Sequence, residues 1–145
     1  MESKSLEPKT LFLVRLVVGV VWLYEGLYMK LLTHDPHELA ITRQIHGPLG
    51  LTGESLLLLI GAGETLLALV VLSGLLVRPL AALQMFLLLS MNLVGIFAGN
   101  GTIEDPAGLL VRNGPLFLCF YLLWRYGPGA YALNFPPFAR TEARP

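Results

Sequence analysis

Charge is scarce in this sequence and cysteine is almost absent. Only 14% of the 145 residues are Asp, Glu, Lys or Arg while 54% are hydrophobic, whereas a soluble domain usually carries about a quarter charged residues. That balance excludes an ordinary soluble domain and indicates an integral membrane protein. The formal net charge is zero, with 10 basic residues against 10 acidic ones. With no Lys/Arg cluster either, nucleic acid is not expected as a partner, and neither is a polybasic lipid anchor. The lone Cys119 excludes an intrachain disulfide and the paired-cysteine chemistry of membrane thiol oxidoreductases, and leaves the redox state of the compartment open. Histidine is missing from all four long apolar stretches, which removes the usual axial ligands of a bundle-embedded haem. Neither a Gly-rich phosphate loop nor a nucleophile elbow is present. No small-x-small cleavage site closes the first apolar run, so that run, with Lys4 and Lys9 before it, reads as a retained transmembrane helix and not as a signal peptide.

What is present is a series of apolar segments long enough to cross a bilayer. The pattern predicts an all-α fold, a transmembrane four-helix bundle forming one domain over residues 1–145, with spans at about 11–32, 51–77, 79–99 and 108–126. Between the first two spans, Asp35-Pro36-His37-Glu38 has the form of a helix start, with Asp as N-cap, Pro at N1 and Glu at N3. A short interfacial helix is expected there, ending before Gly47-Pro48. Arg78-Pro79 and Asn100-Gly101 mark reversals, and Gly127-Pro128-Gly129 ends the last span. Phe135-Pro136-Pro137-Phe138 suits an interfacial or extended tail. Four spans place both termini on one side. Lys4, Lys9, Arg78, Arg125, Arg140 and Arg144 lie on that side against Lys30, Arg43 and Arg112 on the other, which predicts cytoplasmic termini.

The first span carries Trp22-Leu23-Tyr24-Glu25-Gly26-Leu27-Tyr28-Met29-Lys30. A charge at hydrocarbon depth is disfavoured by at least ~2.5 kcal/mol, so Glu25 is expected to face the protein interior. At ~100° per residue, Arg15, Gly19, Trp22, Gly26 and Met29 share one stripe, with Glu25 and Lys30 on its margins. Glu64 is the deepest ionisable residue, with Leu57, Gly61 and Ala68 on its side of the second span; Glu54 reads as hydrated at the helix mouth. Gln84, Met91, Asn92, Gly95 and Gly99 crowd one side of the third span, and Arg112, Cys119 and Tyr126 recur at heptad spacing on the fourth, with Asn113 beside them. By helical rise, Glu25, Asn92, Arg112 and Asn113 fall in the outer half of the membrane and Glu64 near its midplane.

These residues define a candidate ligand-binding set: Trp22, Tyr24, Glu25, Tyr28, Glu64, Asn92, Arg112 and Asn113. Arg112 is the expected cation for Glu25, because Lys30 has the length to snorkel to the interface, and Arg15 is expected to reach toward Glu64 or toward the headgroups. A polar-headed pocket walled by Trp22, Tyr24 and Tyr28 suits a quinone or another amphipathic lipophile. Interhelical packing alone is the competing account of the same residues. His34, His37, Glu38 and His46 are of the types that bind zinc. A capped helix at an interface accounts for them without metal, and no metal is assigned.

Arg15, then Trp22 to Leu27, Lys30, His37-Glu38 and Gly61-Ala62-Gly63-Glu64, in that order, resemble the DoxX-like family of small four-helix membrane proteins. The resemblance covers nearly the whole chain. It implies a bacterial inner-membrane location and an association with respiratory or redox processes, since relatives include a subunit of a thiosulfate:quinone oxidoreductase. Other members are fused to nucleotide-dependent epimerase-like domains, so nicotinamide chemistry here would need a separate partner. The resemblance fixes no reaction. The function expected is binding of a quinone or similar lipophile as an accessory to a membrane redox process, with a redox partner or homo-oligomer in the bilayer. The alternatives are a non-enzymatic scaffold or assembly factor, and a small transporter, which would need to dimerise to enclose a path.

Overall fold

The computed structural model describes residues 6–98, 101 and 103–133. The expectations for Lys4, Gly99, Asn100, Arg140, Arg144 and the segment 135–138 lie outside these residues. Helices account for all the regular structure described: α1 (Pro8–Leu23) continuing as a π-helix (Tyr24–Leu32), α2 (Pro36–Gln44), a 3₁₀ turn (Pro48–Gly50), α3 (Gly53–Ser73), α4 (Val77–Ala98) and α5 (Pro106–Tyr126). Four of these stretches, Pro8–Leu32, α3, α4 and α5, are long and apolar enough to cross a membrane. The chain is thus a multi-pass integral membrane protein of the all-α class.

Local chemistry sets the boundaries. Asp35 caps α2 by accepting from the backbone N–H groups of His37 and Glu38 at 3.0 and 3.1 Å, satisfying two donors that lack helical partners. Asp105 does the same for α5, accepting from Gly108 N at 2.8 Å with Pro106 at the first helical position, so this helix starts earlier than residue 108. The reversal between α3 and α4 also falls earlier than Arg78-Pro79. Gly74 takes a left-handed conformation (φ 83°) at the end of α3, and Leu76 follows at φ 49°. Pro79 is then accommodated inside the first turn of α4, where its missing N–H has no helical acceptor to lose. Pro115 lies within α5 and withdraws one donor from the helix ladder, a break that transmembrane helices tolerate where neighbouring groups re-satisfy the backbone.

Around the bundle the order is α3, α1, α5, α4. The first span packs on both α3 and α5, and α4 packs on α5, while the consecutive helices α3 and α4 touch only sparsely. The apolar core of Val18, Trp22, Ala68, Val71, Phe120 and Leu123 sits where these helices meet. At its end nearest the termini the bundle is closed by residues after α5. Ala130 N donates to Pro8 O at 2.8 Å and Leu133 N to Ser73 O at 2.9 Å. Arg15, buried, donates to the carbonyls of Pro128 (2.8 Å), Ala130 (3.2 Å) and Tyr131 (3.0 Å). Its guanidinium is therefore committed to this closing segment and not to Glu64 or the headgroups: the backbone carbonyls beyond the helix end lack helical donors, and a planar five-donor group can serve several at once.

Candidate functional site

The site is built where the first span crosses α3. A Cβ at Gly26 would lie 2.7 Å from Glu64 Cβ and 2.8 Å from both Gly61 O and Thr65 N, and one at Gly61 would lie 2.7 Å from Lys30 Cβ. Two glycines thus let the backbones touch, a close approach typical of small residues in membrane helices. It brings Lys30 Nζ to 3.0 Å from Glu64 Oε2. The same ammonium is 3.8 Å from Glu38 Oε2 and 3.9 Å from Glu25 Oε2. One cation thus faces three carboxylates drawn from three elements. Lys30 is only 2% exposed and Glu64 5%, so neither charge is screened by bulk water.

The π-helix explains why Lys30 is inside. An α-helical register puts it on the margin of the buried stripe, with Met29 at the centre. Between Tyr24 and Leu32 the ladder instead includes i→i+5 bonding, as in Thr33 N to Tyr28 O at 2.9 Å, and each turn holds more residues than an α turn. The buried positions of the first span then run Arg15, Gly19, Trp22, Gly26, Lys30. Lys30 takes the central place and is the cation of Glu25, the role expected for Arg112. Arg112 is exposed, and its Nε donates to Gly108 O, one turn back on its own helix, at 3.0 Å.

A cavity of about 980 Å³ runs from the loop face, where His37, His46, Glu104 and Asp105 line it, down to Trp22 and Glu64. Of the eight residues expected to bind ligand, six line it: Trp22, Glu25, Glu64, Asn92, Arg112 and Asn113. Tyr24 and Tyr28 do not join them. They stack on each other with ring centroids 5.4 Å apart and remain 52% and 49% exposed on the outer surface of the first span, a position suited to amphipathic rings at a membrane interface. Trp22 is fixed by its Nε1–H donating to Gln84 Oε1 at 2.8 Å and by stacking near Phe120, with centroids 6.3 Å apart. Gln84 in turn donates to Leu80 O at 3.0 Å. Asn113 Nδ2 donates to Asn92 Oδ1 at 3.0 Å, tying α5 to α4.

Two polar groups in this cavity are incomplete. Glu64 Oε1 and Asn92 Nδ2 are buried without a hydrogen-bond partner among the described residues. One is an acceptor and the other a donor, and a buried polar group left unpaired is disfavoured by about 1–3 kcal/mol. The wall mixes apolar side chains, including Ile60, Leu88, Met91 and Leu116, with polar ones, among them Lys30, Glu38, Thr42 and Ser90. The arrangement accommodates a molecule with a small oxygen-bearing head and an apolar body. Among the histidines, His37 and His46 line the cavity, while His34 Nδ1 lies 3.8 Å from Glu54 Oε1 near the surface.

Lys30, Glu38 and Gln84 stand outside the eight residues expected from the sequence to bind ligand. The signal for Lys30 was its spacing of four from Gly26 and eight from Trp22, which aligns only if the helix is wider than an α-helix. No curated protein and no solved structure matches the chain. The sequence profile of the DoxX-like family matches residues 19–121, from the middle of the first span to the far part of α5 and across every residue of the Lys30 cluster, and the chain belongs to that family.

Proposed function

We propose that this protein binds a quinone or similar amphipathic lipophile in the polar cavity, as an accessory to a redox process of the bacterial inner membrane. The observation that carries the reading is the pair of unpartnered buried groups, Glu64 Oε1 and Asn92 Nδ2, facing a cavity of about 980 Å³ whose wall combines polar residues with the apolar Ile60, Leu88, Met91 and Leu116. A head with carbonyl or hydroxyl oxygens accepts from Asn92 Nδ2 and from the Lys30 ammonium, and a hydroxyl can donate to Glu64. The Trp22 ring, held by Gln84, supplies a flat wall for a planar head. The redox association rests on family membership. In the same reading α2 lies at the outer membrane interface and both termini are cytoplasmic.

Mass spectrometry of protein extracted in mild detergent tests this. The parent is expected to carry a co-purifying quinone or related lipophile. Asn92→Leu should lower its retention about tenfold, the scale of one good hydrogen bond. A parent that carries none, and that shows no saturable binding when a quinone is added, would overturn the reading.

A further inference from the structure

A second cavity, about 440 Å³, lies between α3 and α4. These two helices are joined by a short turn, yet they pack sparsely on each other, so the bundle is open along this seam. The walls are almost wholly apolar. Leu59, Leu66 and Leu83 line the opening and are 49%, 63% and 43% exposed. Because α3 and α4 are both long and apolar enough to span a membrane, that exposed side faces hydrocarbon. The inner end adjoins the polar site, for Trp22, Ile60, Glu64 and Met91 line both cavities. Gly63 lies in the wall next to Glu64, and a Cβ there would meet nothing within 4 Å.

We infer that this cleft is the bilayer-side entrance to the polar cavity and holds the hydrocarbon tail of the molecule whose head sits at Glu64 and Asn92. The inference rests on the lipophile reading above. A membrane-dissolved ligand has its tail in hydrocarbon before it binds. Moving that tail into an apolar cleft from lipid gains no hydrophobic free energy, because lipid chains are as apolar as leucine. The cleft therefore acts by permission: it lets the head reach the buried polar groups while the tail stays in an apolar medium. A tail-less head has a second route, through the loop-face mouth lined by His37 and His46.

Gly63→Trp is the plug, since a Cβ at Gly63 meets nothing within 4 Å and the residue lines the cleft of about 440 Å³ that the indole is meant to fill. Binding of a tailed quinone and of its tail-less analogue is measured for parent and variant in detergent micelles. The parent is expected to bind both. The variant should lose at least tenfold in affinity for the tailed ligand and stay within twofold for the tail-less one. Unchanged tailed binding in the variant would overturn the cleft assignment while leaving the lipophile reading intact, and a parent that binds neither ligand would remove that reading itself. Should the variant lose both ligands, photolabelling of the parent decides. A tailed analogue with a diazirine at its tail end is expected to label α3 and α4 within the cleft, and excess tail-less ligand should suppress the label. Labels on other surfaces, or cleft labels that persist under competition and so report an unrelated bilayer chain, would overturn the inference.

Discussion

Lys30 holds the site together because it is the only ammonium within 4.0 Å of Glu64 among the described residues, and it also faces Glu25 and Glu38. The three carboxylates are not equally dependent on it. Glu64 is almost fully buried, whereas Glu25 and Glu38 retain side-chain exposures of 42% and 30% and so keep contact with solvent. Removing the cation strands Glu64, and breaking a buried pair from one side destabilises by about 3–5 kcal/mol. Removing Glu64 leaves Lys30 with two remaining carboxylates. Lys30→Met is therefore expected to destabilise more than Glu64→Gln, and the double variant should be more stable than Lys30→Met alone, with a coupling above ~0.5 kcal/mol. Unfolding titrations in mixed micelles measure all three, and strict additivity would show that the pair is not coupled. At this scale Glu64 was legible in the sequence, as an acid in mid-span beside Gly61. Its partner was not, because a 100° rotation per residue places Lys30 at the stripe's edge and only the π register turns it inward.

The element that brings these residues together is the crossing of the π-helix over α3. Helix propensity disfavours Gly26 and Gly61, since glycine weakens a helix by roughly 0.5–1 kcal/mol relative to alanine. At Gly26 the Cβ of an alanine would press on backbone atoms, Gly61 O and Thr65 N, that have no rotamer by which to yield. Gly26→Ala should therefore destabilise by ~1–3 kcal/mol, the usual range for overpacking, and should also weaken retention of any ligand by displacing Lys30 from Glu64. Gly63→Ala on the facing helix provides the contrast, because its methyl enters open space; it should be neutral or stabilising by up to ~1 kcal/mol. Equal effects of the two alanines in a micelle unfolding titration would contradict the close crossing. Spans and the capped α2 were legible here, because length, apolar content and the Asp-Pro-x-Glu start are local properties. The α3–α4 turn was misplaced by a few residues, since Pro79 looks like a break yet is harmless in a first turn. The outward placement of Tyr24 and Tyr28 depends on which neighbours flank the first span, which no local pattern specifies.

For the whole molecule, one face is closed and the other is open to the cavity. The start of α1, the end of α3 and the residues after α5 are joined by Ala130–Pro8 and Leu133–Ser73 backbone bonds and by Arg15, while α2 and the residues before α5 border the cavity mouth. This geometry sharpens the charge argument for orientation. The positive-inside bias counts cations free to interact near the membrane surface, and Lys30 is buried among three carboxylates. Removing it from the count leaves Arg43 and Arg112 on the cavity side, against Lys9, Arg78 and Arg125 among the described residues of the closed side, with Lys4, Arg140 and Arg144 beyond them in sequence. The closed face is thus expected in the cytoplasm and the cavity mouth outside. A reporter active only in the cytoplasm should work when fused after Pro145, and one active only in the periplasm should work when inserted at His46-Gly47. The opposite pattern would invert the molecule and turn the mouth toward the cytoplasm. The cleft between α3 and α4 would be unaffected by that inversion, because it opens sideways into the bilayer in either orientation.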